Sequence, residues 1–500
     1  MRERDSYYSS MTFLGIDLGT SSVKAILVDG AQNLIDQASA PLDVSRPQPL
    51  WSEQDPEHWW TAANQAVLAL RAARPKEFAG IKAIGLSGQM HGATLLGRQD
   101  KVLRPAILWN DGRSGAECVE LERRAPDSRR ITGNIAMPGF TAPKLMWVAK
   151  HEPEIFSRVE KVLLPKDYLR LRLCGNYASD MSDSAGTLWL DVAKRAWSDT
   201  MLEASGLKRS AMPELCEGTQ PTGKLTATVA SAWGLGTDVI VAAGAGDNAA
   251  GAAGAGVVRP GDAFLSLGTS GVYFAAAGSY SANPEGAVHT FCHCLPNAWH
   301  QMSVILSAAA SLTWVTRITG AADEAALIAE IEAAGDDVET PVFLPYLSGE
   351  RTPHNNPHAQ GVFFGLTHET NRAAMGRAVL EGVAFAFADG QRALQDAKAE
   401  LKEVTVIGGG ARSRLWGSIL ATVLKRPLLY RKGGESGPAY GAARLARIAL
   451  TNEKPADVCT APAIDYSVGP EAKWSARYEG KLALYRQLYQ DLKPRFGAKV

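Results

Sequence analysis

The phrase Leu-Gly-Thr-Ser occurs twice, at Leu18-Gly19-Thr20-Ser21 and Leu267-Gly268-Thr269-Ser270, about half the chain apart. Each copy follows an apolar run (Phe13 to Ile16; Ala263 to Leu265) and precedes another (Val23 to Val28; Val272 to Ala277). The pattern predicts strand, Gly-Thr-Ser turn, strand: a hairpin whose turn offers backbone N–H groups and hydroxyls. Such turns form nests for anions, phosphates above all. A single Gly-Thr-Ser turn is ordinary connective structure. Two of them predict a duplicated architecture that grips one polyphosphate from both sides. Only the first copy is headed by a carboxylate, Asp17, where the second has Ser266. That asymmetry suits a Mg-nucleotide, with one half supplying the metal contact and both halves the phosphate donors.

A chain of 500 residues exceeds one hydrophobic core, so two domains of roughly 200–250 residues each are expected. Hydrophobic residues at 46% and charged ones at 21% are those of an ordinary soluble globular chain. Fifty-two basic side chains balance fifty-two acidic ones, which points away from nucleic acid and from an anionic membrane. The six cysteines are sparse and irregular, as expected of reduced thiols rather than a disulfide framework. Residues 1–10 are polar, lack the apolar core of a signal peptide and read as a disordered lead. The longest weakly polar run, Val239 to Val258, is interrupted by Asp247-Asn248, which argues against a membrane span. A cytoplasmic protein is the expectation. The neutral surface and an apolar tail helix would permit a homodimer without demanding one.

Strand and helix signals alternate in the first half. Ser52-Glu53-Gln54-Asp55-Pro56 introduces a helix to about Ala73, with the acid-Pro entry that helix starts favour. Strand Ile81 to Leu86 ends in Ser87-Gly88-Gln89-Met90-His91-Gly92, and strand-end loops are where α/β folds place ligand contacts. A second such transition, Asp238 to Ala243, leads through Gly244 and Gly246 to Asp247-Asn248 and an Ala-rich helix. Arg259-Pro260-Gly261-Asp262 reads as the domain joint, which divides the chain into 11–257 and 258–500. Beyond it come a helix from about Ala373 to Ala399, strand Val404 to Ile407 and the glycine loop Gly408-Gly409-Gly410. A second loop, Gly433-Gly434, then opens a helix over Ala439 to Leu450. Trp474 to Leu492 is amphipathic at helical spacing and should pack on its own domain.

Three tempting motifs fail on chemistry. Gly218 to Lys224 has P-loop spacing, but Leu225 stands where Mg²⁺ needs a hydroxyl and Pro221 removes a cradle N–H. Gly244-x-Gly246-x-x-Ala249 resembles a dinucleotide fingerprint, but Asp247 would repel a pyrophosphate. His289, Cys292, His293, Cys294 and His300 look like a metal cluster, yet on a strand the histidines 289 and 293 face away from the two cysteines. What remains is coherent. Asp17 either caps its turn or holds Mg²⁺ directly or through water. Lys24 either is solvated or offers a point charge to phosphate oxygens. Gly409 and Gly410 let backbone approach a flat or bulky ligand closely. Asp247, at a helix start among small residues, can reach a substrate hydroxyl and accept its proton during phosphoryl transfer. Asn248 beside it can bond a polyol; an ordinary helix cap would look the same.

Several longer phrases carry a resemblance. They include Gly15-Ile16-Asp17-Leu18-Gly19-Thr20-Ser21, Gly88-Gln89-Met90-His91-Gly92 and Trp109-Asn110-Asp111-Gly112-Arg113. Pro165-Lys166-Asp167-Tyr168, Ala178 to Asp183, Gly246-Asp247-Asn248, Gly349-Glu350-Arg351-Thr352-Pro353-His354 and Ile407 to Arg412 extend it. From about Phe13 to its end the chain resembles the FGGY carbohydrate kinases of the actin–Hsp70–sugar kinase superfamily. The resemblance implies an α/β fold of two RNase H-like (actin-like ATPase) domains, each a mixed sheet with helices on both faces, around a central cleft. It implies sugar on the first domain and ATP largely on the second. The implied reaction is ATP-dependent phosphorylation of the O5 hydroxyl of D-xylulose, with release of ADP, in pentose catabolism. Asp247 is then the general base, and Asp17 and Asp247 the Mg²⁺-associated carboxylates. Met90, His91, Trp109, Asp111, Arg113 and Asn248 fall to the sugar, and Thr20, Ser21, Lys24, Thr269, Gly409, Gly410 and Arg414 to ATP. The pattern departs at Ala374, where the family usually has an acidic, amide or histidine side chain. Three other readings stay open: a kinase for another ketopentose or polyol, a sugar-binding regulator without catalysis, and a nicotinamide enzyme. A regulator would be expected to lack Asp17 or Asp247, and both are present.

Overall fold

A computed structural model describes residues 11–336, 338–432 and 437–497. The first hairpin is β1 (Thr12–Leu18) and β2 (Ser22–Asp29), followed by β3 (Leu34–Pro41). Helix α1 (Pro56–Ala73) starts where proposed, with Asp55 accepting from Glu57 N and Pro56 in the first turn. Then come β4 (Ile81–Gly88), α2 (Pro165–Cys174), α3 (Met181–Ala185), β5 (Pro221–Lys224), β6 (Ile240–Ala242), β7 (Ala245–Gly246) and α4 (Asp247–Ala255). The strands form one mixed sheet in the order β5–β6–β4–β1–β2–β3, and β7 also pairs with β4. Residues at alternate positions of β1 part to opposite faces. Leu14, Ile16 and Leu18 pack with Trp59, Ala63 and Val67 of α1, while Phe13 packs with Ala439 and Ala443 on the other face.

The second sheet repeats the plan. It consists of β8 (Asp262–Leu267), β9 (Gly271–Ala277), β10 (His289–Cys292), β11 (Trp299–Ile305), β12 (Glu403–Ile407), β13 (Leu428–Arg431) and β14 (Ile464–Val468). Its order is β10–β11–β9–β8–β12–β13–β14. The run β6–β4–β1–β2–β3 of the first sheet and the run β13–β12–β8–β9–β11 of the second have the same succession of directions. Two parallel pairings are followed by two antiparallel ones. The repeated phrase is therefore the turn of equivalent hairpins in two copies of one sheet.

Helix α5 (Arg372–Asp396), α6 (Arg414–Leu424) and the tail helix α8 (Ala472–Leu492) pack on the second sheet, after α7 (Gly437–Thr451) has returned to the first. The tail helix buries Trp474, Tyr478, Tyr485 and Leu488 among Phe385, Tyr346 and their neighbours. Its apolar stripe thus packs on its own domain, as expected. Helix α7 crosses between the two halves. It follows the second domain's strands in the chain, yet Gly15 and Gly85 of β1 and β4 lie against its backbone at Ala439 and Ala442. The two sheets thus sandwich α4 and α7. Among the described residues no helix is long and apolar enough to cross a membrane, and all six cysteines are free thiols.

Candidate active site

Strand register sets the first carboxylate. Asp17 on β1 lies opposite Ser87 on β4, and Ser87 lies opposite Ala245 on β7. Asp17 therefore sits two residues of chain from the register position that launches Asp247. Ser87 Oγ donates to Asp17 Oδ1 at 2.9 Å. Asp247 is the first residue of α4, and its Oδ1 accepts from Asn248 N (2.7 Å) and Asn248 Nδ2 (3.0 Å). Burial and, next, the charge of Asp17 push the Asp247 carboxyl up to about 7 against the Asn248 hydrogen bonds. Burial likewise raises Asp17 to about 6, opposed by the Ser87 hydroxyl and by Lys24. Lys24 stands opposite Asp17 across the hairpin, so it faces the carboxylate as well as the turn. Two carboxyls that resist ionisation beside each other are suited to proton transfer near neutrality and to sharing a cation.

Asp247 and Asn248 line a cavity of about 320 Å³ whose opposite wall is Phe264, Ser266, Val272, Ile407 and Gly408 of the second sheet. The cavity lies between the domains. At its rim Gly408 has φ +93° and sits against the Leu267 backbone, where a side chain would have no room. Gly409 to Arg412 form a short 3-10 turn beside the second phosphate phrase. A Cβ on Gly410 would come 2.9 Å from Leu267 Cβ, whereas Gly409 faces open space. The Thr269 carbonyl accepts from Ala308 N (3.0 Å) and Ala310 N (3.3 Å), which fixes the second turn. Thr269 borders a second cavity of about 330 Å³ with Trp314 and Arg317. Arg414, at the start of α6, lays its guanidinium over Tyr466 at 4.3 Å. Gly433 and Gly434 lie outside the described residues.

Met90 and His91 follow β4 directly. Gly246 makes room for Met90, since a Cβ there would lie 2.9 Å from Met90 Cγ. His91 holds a left-handed φ of +70°, a conformation few non-glycine residues adopt. Its Nδ1 is 2.7 Å from the Gly186 carbonyl, which can only accept, so Nδ1 carries the hydrogen and Nε2 is left as an acceptor. Burial, with Lys144 nearby, holds the His91 ring neutral, its pKa down at about 3. The His91 carbonyl in turn accepts from Lys144 Nζ at 2.9 Å.

The remaining sequence candidates divide. Trp109 is 49% exposed, and its indole donates to Thr20 Oγ1 at 3.0 Å, which sets it beside the first Gly-Thr-Ser turn. Thr20 Oγ1 donates to Gln89 Oε1 (3.2 Å). Ser21 is exposed at the turn. Asp111 and Arg113 are drawn elsewhere. Arg113 donates twice to Asp111, pairs with Glu53 at 2.7 Å and stacks on Trp51 at 3.6 Å, while Asp111 also accepts from Ser52 N. Their charges are paired with each other and with Glu53 in a buried clamp. Of the metal-like cluster, His300 stacks on Phe274 (4.5 Å) and His289 on Phe291 (5.6 Å), while the Cys292 and Cys294 thiols point to the Val192 and Ala249 carbonyls. Sequence reading missed Gln89 and Gln54, which link the first turn to its neighbours. It also missed Gly186 and Ser182, whose only signal was membership of a quoted phrase or its flank.

The chain matches the N-terminal domain of the FGGY family of carbohydrate kinases over residues 12–254 and the C-terminal domain over 263–450. It is 55% identical over 483 residues to a xylulose kinase of Escherichia coli strain K12, covering 96% of this chain and 99% of that one. A xylulose kinase of Klebsiella pneumoniae is 52% identical, over 96% of this chain and 99% of that one. The crystal structure of a "xyloylose kinase" from Brucella ovis superposes with a TM-score of 0.94 at 54% identity, over 97% of this chain and 99% of that one. Two family domains in sequence, two copies of one sheet in space, and a carboxylate-lined cavity between them agree: the chain belongs to the FGGY family of carbohydrate kinases.

Proposed function

We propose that this kinase transfers the γ-phosphoryl group of ATP to the O5 hydroxyl of D-xylulose, giving D-xylulose 5-phosphate and ADP in the cytoplasm. The observation that carries the reading is the Asp247 carboxyl. It is held near pKa 7 at the start of α4 and opens into the inter-domain cavity. The substrate choice rests on the names of relatives that share more than half of their residues with this chain. Asp247 accepts the hydroxyl proton as the new P–O bond forms. Met90 and the acceptor nitrogen of His91 orient the sugar, and Asn248 bonds a neighbouring hydroxyl.

The turns at Thr20 and Thr269 offer N–H groups and hydroxyls to the phosphates from opposite sides, with Ser21 and Lys24 on the first turn. Gly409, Gly410 and Arg414 border the adenosine. Asp17 and Asp247 fit a Mg²⁺ ion, which takes one or two protein carboxylates and completes its shell with phosphate and water. Their mutual repulsion is the kind a divalent cation relieves. Bound there, the ion would neutralise charge on the phosphates. Asp111 and Arg113 act from behind by fixing Trp51 and the Ser52 backbone.

A coupled ADP-release assay with Mg-ATP tests the reading against D-xylulose, L-ribulose, L-xylulose, glycerol and no sugar. Preference for D-xylulose is expected. Turnover with another sugar instead would move the specificity and keep the chemistry, and silence with all of them would remove the kinase reading.

A further inference from the structure

The roles above leave one charged group unused on the sugar side, and it comes from the second domain. Arg351 lies in the loop Gly349 to Asn356. Its Nη1 is 3.2 Å from His289 Nε2, its one side-chain partner among the described residues. The neighbouring Glu350 forms no ion pair with its guanidinium among the described residues. Glu350 Oε1 is turned back to accept from Leu306 N (3.0 Å) and Arg351 N (2.7 Å). Burial pushes the Glu350 carboxyl up to about 8, so it is largely protonated near neutrality. Arg351 is therefore a cation with no carboxylate hydrogen-bonded to its side chain among the described residues, set deep in the molecule yet touching solvent, where burial disfavours its charge and Glu350 only partly offsets that. Holding such a group is costly unless something pairs with it.

His289 is also fixed in one tautomer. The amide nitrogen of Asn134 donates to Thr132 O (2.8 Å) and Thr290 O (3.0 Å), so its Oδ1 faces His289 Nδ1 at 3.1 Å as an acceptor. Nδ1 carries the hydrogen, and Nε2 accepts from Arg351. From there a wall of rings crosses the domain seam to His91. Phe140 stands edge-on to both His289 (5.6 Å) and His91 (4.8 Å). Among the described residues His91 Nε2 is an acceptor without a donor, and beyond His289 the Arg351 guanidinium has further donors without acceptors. A polyol oxygen can serve both at once, donating its hydrogen to one and receiving from the other.

We propose that Arg351 is a sugar-binding residue contributed by the second domain, donating to a ketopentose oxygen remote from the reacting hydroxyl while His91 accepts from the same end of the sugar. The proposal rests on the kinase reading above and deepens it, because the sugar then bridges the two domains. The loop is built to hold such a contact in place. Thr352 exchanges hydrogen bonds with Val304 (3.1 and 3.0 Å), His354 stacks on Tyr489 at 3.5 Å, and Asn356 donates to the Tyr489 hydroxyl.

The test uses Arg351→Met and Arg351→Lys in the full chain. Sugar binding without ATP is measured by calorimetry, KM is measured for sugar and for ATP, and melting curves are recorded. Arg351→Met should weaken sugar binding about tenfold or more, the scale of one charged hydrogen bond. The KM for ATP should be unchanged, and added guanidinium ion should restore part of the sugar affinity. Arg351→Lys, which keeps the charge without the fork, should fall between, and it carries the test if Arg351→Met fails to fold. Sugar affinity equal to the parent's in the variants overturns the proposal. So does an equal loss of sugar and ATP affinity together with a lower melting temperature. A parent that turns over a ketopentose other than D-xylulose refutes only the substrate, and the variants are then judged with that sugar. A parent that binds no sugar overturns both.

Discussion

Asp247 and Asp17 are costly neighbours, and the cost can be measured. Folding lifts Asp247 from 3.8 to about 7 and Asp17 from 3.8 to about 6. Between those values the folded protein keeps protons that the unfolded chain has released. Stability is therefore lost as pH rises through roughly 4 to 7, and the loss is complete above 7. Asp247→Asn should thus melt higher than the parent at pH 8, with the advantage fading toward pH 4. The same variant should lose roughly 10²–10⁴-fold or more in kcat while binding ATP as before. Turnover retained by Asp247→Asn would remove the general-base role. In the parent, kcat/KM should rise with pH on a limb centred near 7, because the base must be ionised in the free enzyme. Asp17→Asn takes away the repulsion that helps to hold Asp247 up, so in whatever activity remains the limb should move to lower pH. An unmoved limb would mean that Asp17 does not act on Asp247 electrostatically.

At the scale of elements, the segment from Ala243 to Asp247 is held at both ends by one buried charge cluster. Arg170 on α2 donates to the Ala243 carbonyl, and Gly246 N donates to Ser182 Oγ on α3 at 3.1 Å. Ser182 Oγ donates to Asp180 (2.5 Å), and Asp180 pairs with Lys166 at 2.8 Å. Lys166 also meets Asp167 (2.6 Å) and Asp183 (3.1 Å). Two cations face three carboxyls there, and burial raises the Asp183 carboxyl well above its ordinary value. The same helix, α3, leads into Gly186, which fixes His91.

Ser182→Ala strips the Gly246 N–H of its acceptor and loosens the start of α4. We expect kcat to fall and the acid limb of kcat/KM to shift, with the KM for ATP unchanged. A loss of thermal stability without either kinetic change would make Ser182 merely structural. Such a cluster was hard to read beforehand. The hairpins, α1 and the Asp247 loop announce themselves by local phrase and period. Lys166, Asp180 and Ser182 stood inside recognised phrases, but which charge meets which is decided only when α2, α3 and β7 pack. The pairing of Asp111 and Arg113 was hidden for the same reason, because Glu53 and Trp51, the partners of Arg113, lie in an earlier segment of the chain. Sequence distance hid Arg351 as well, since His91 and His289 reach it from two other parts of the fold.

Taken as a whole, the molecule is two copies of one sheet joined through helices that nearly touch backbone to backbone. Helix α7 belongs to the second half of the chain and covers the first sheet, so the halves are interleaved. The close approach depends on missing side chains: a Cβ at Gly15 or Gly85 would collide with the Ala439 or Ala442 carbonyl, and one at Gly441 with the Ala250 carbonyl of α4. Backbone atoms on both sides leave no flexible side chain to yield. Gly441→Ala should therefore force α4 from α7 and destabilise by about 1–3 kcal/mol, the usual cost of overpacking. Because Asp247 opens α4, that displacement should also lower kcat. Gly480→Ala is the matched control. It lies in the tail helix, exposed and with nothing near its missing Cβ. There the alanine should raise stability by roughly 0.5–1 kcal/mol and leave kcat alone. Melting temperature and kcat measured on the pair separate the two effects. If Gly441→Ala melts lower with kcat intact, α4 tolerates displacement and the geometry of Asp247 is set from the α3 side alone. If both fall while the control rises, the α4–α7 contact is what keeps the carboxyl over the inter-domain cavity.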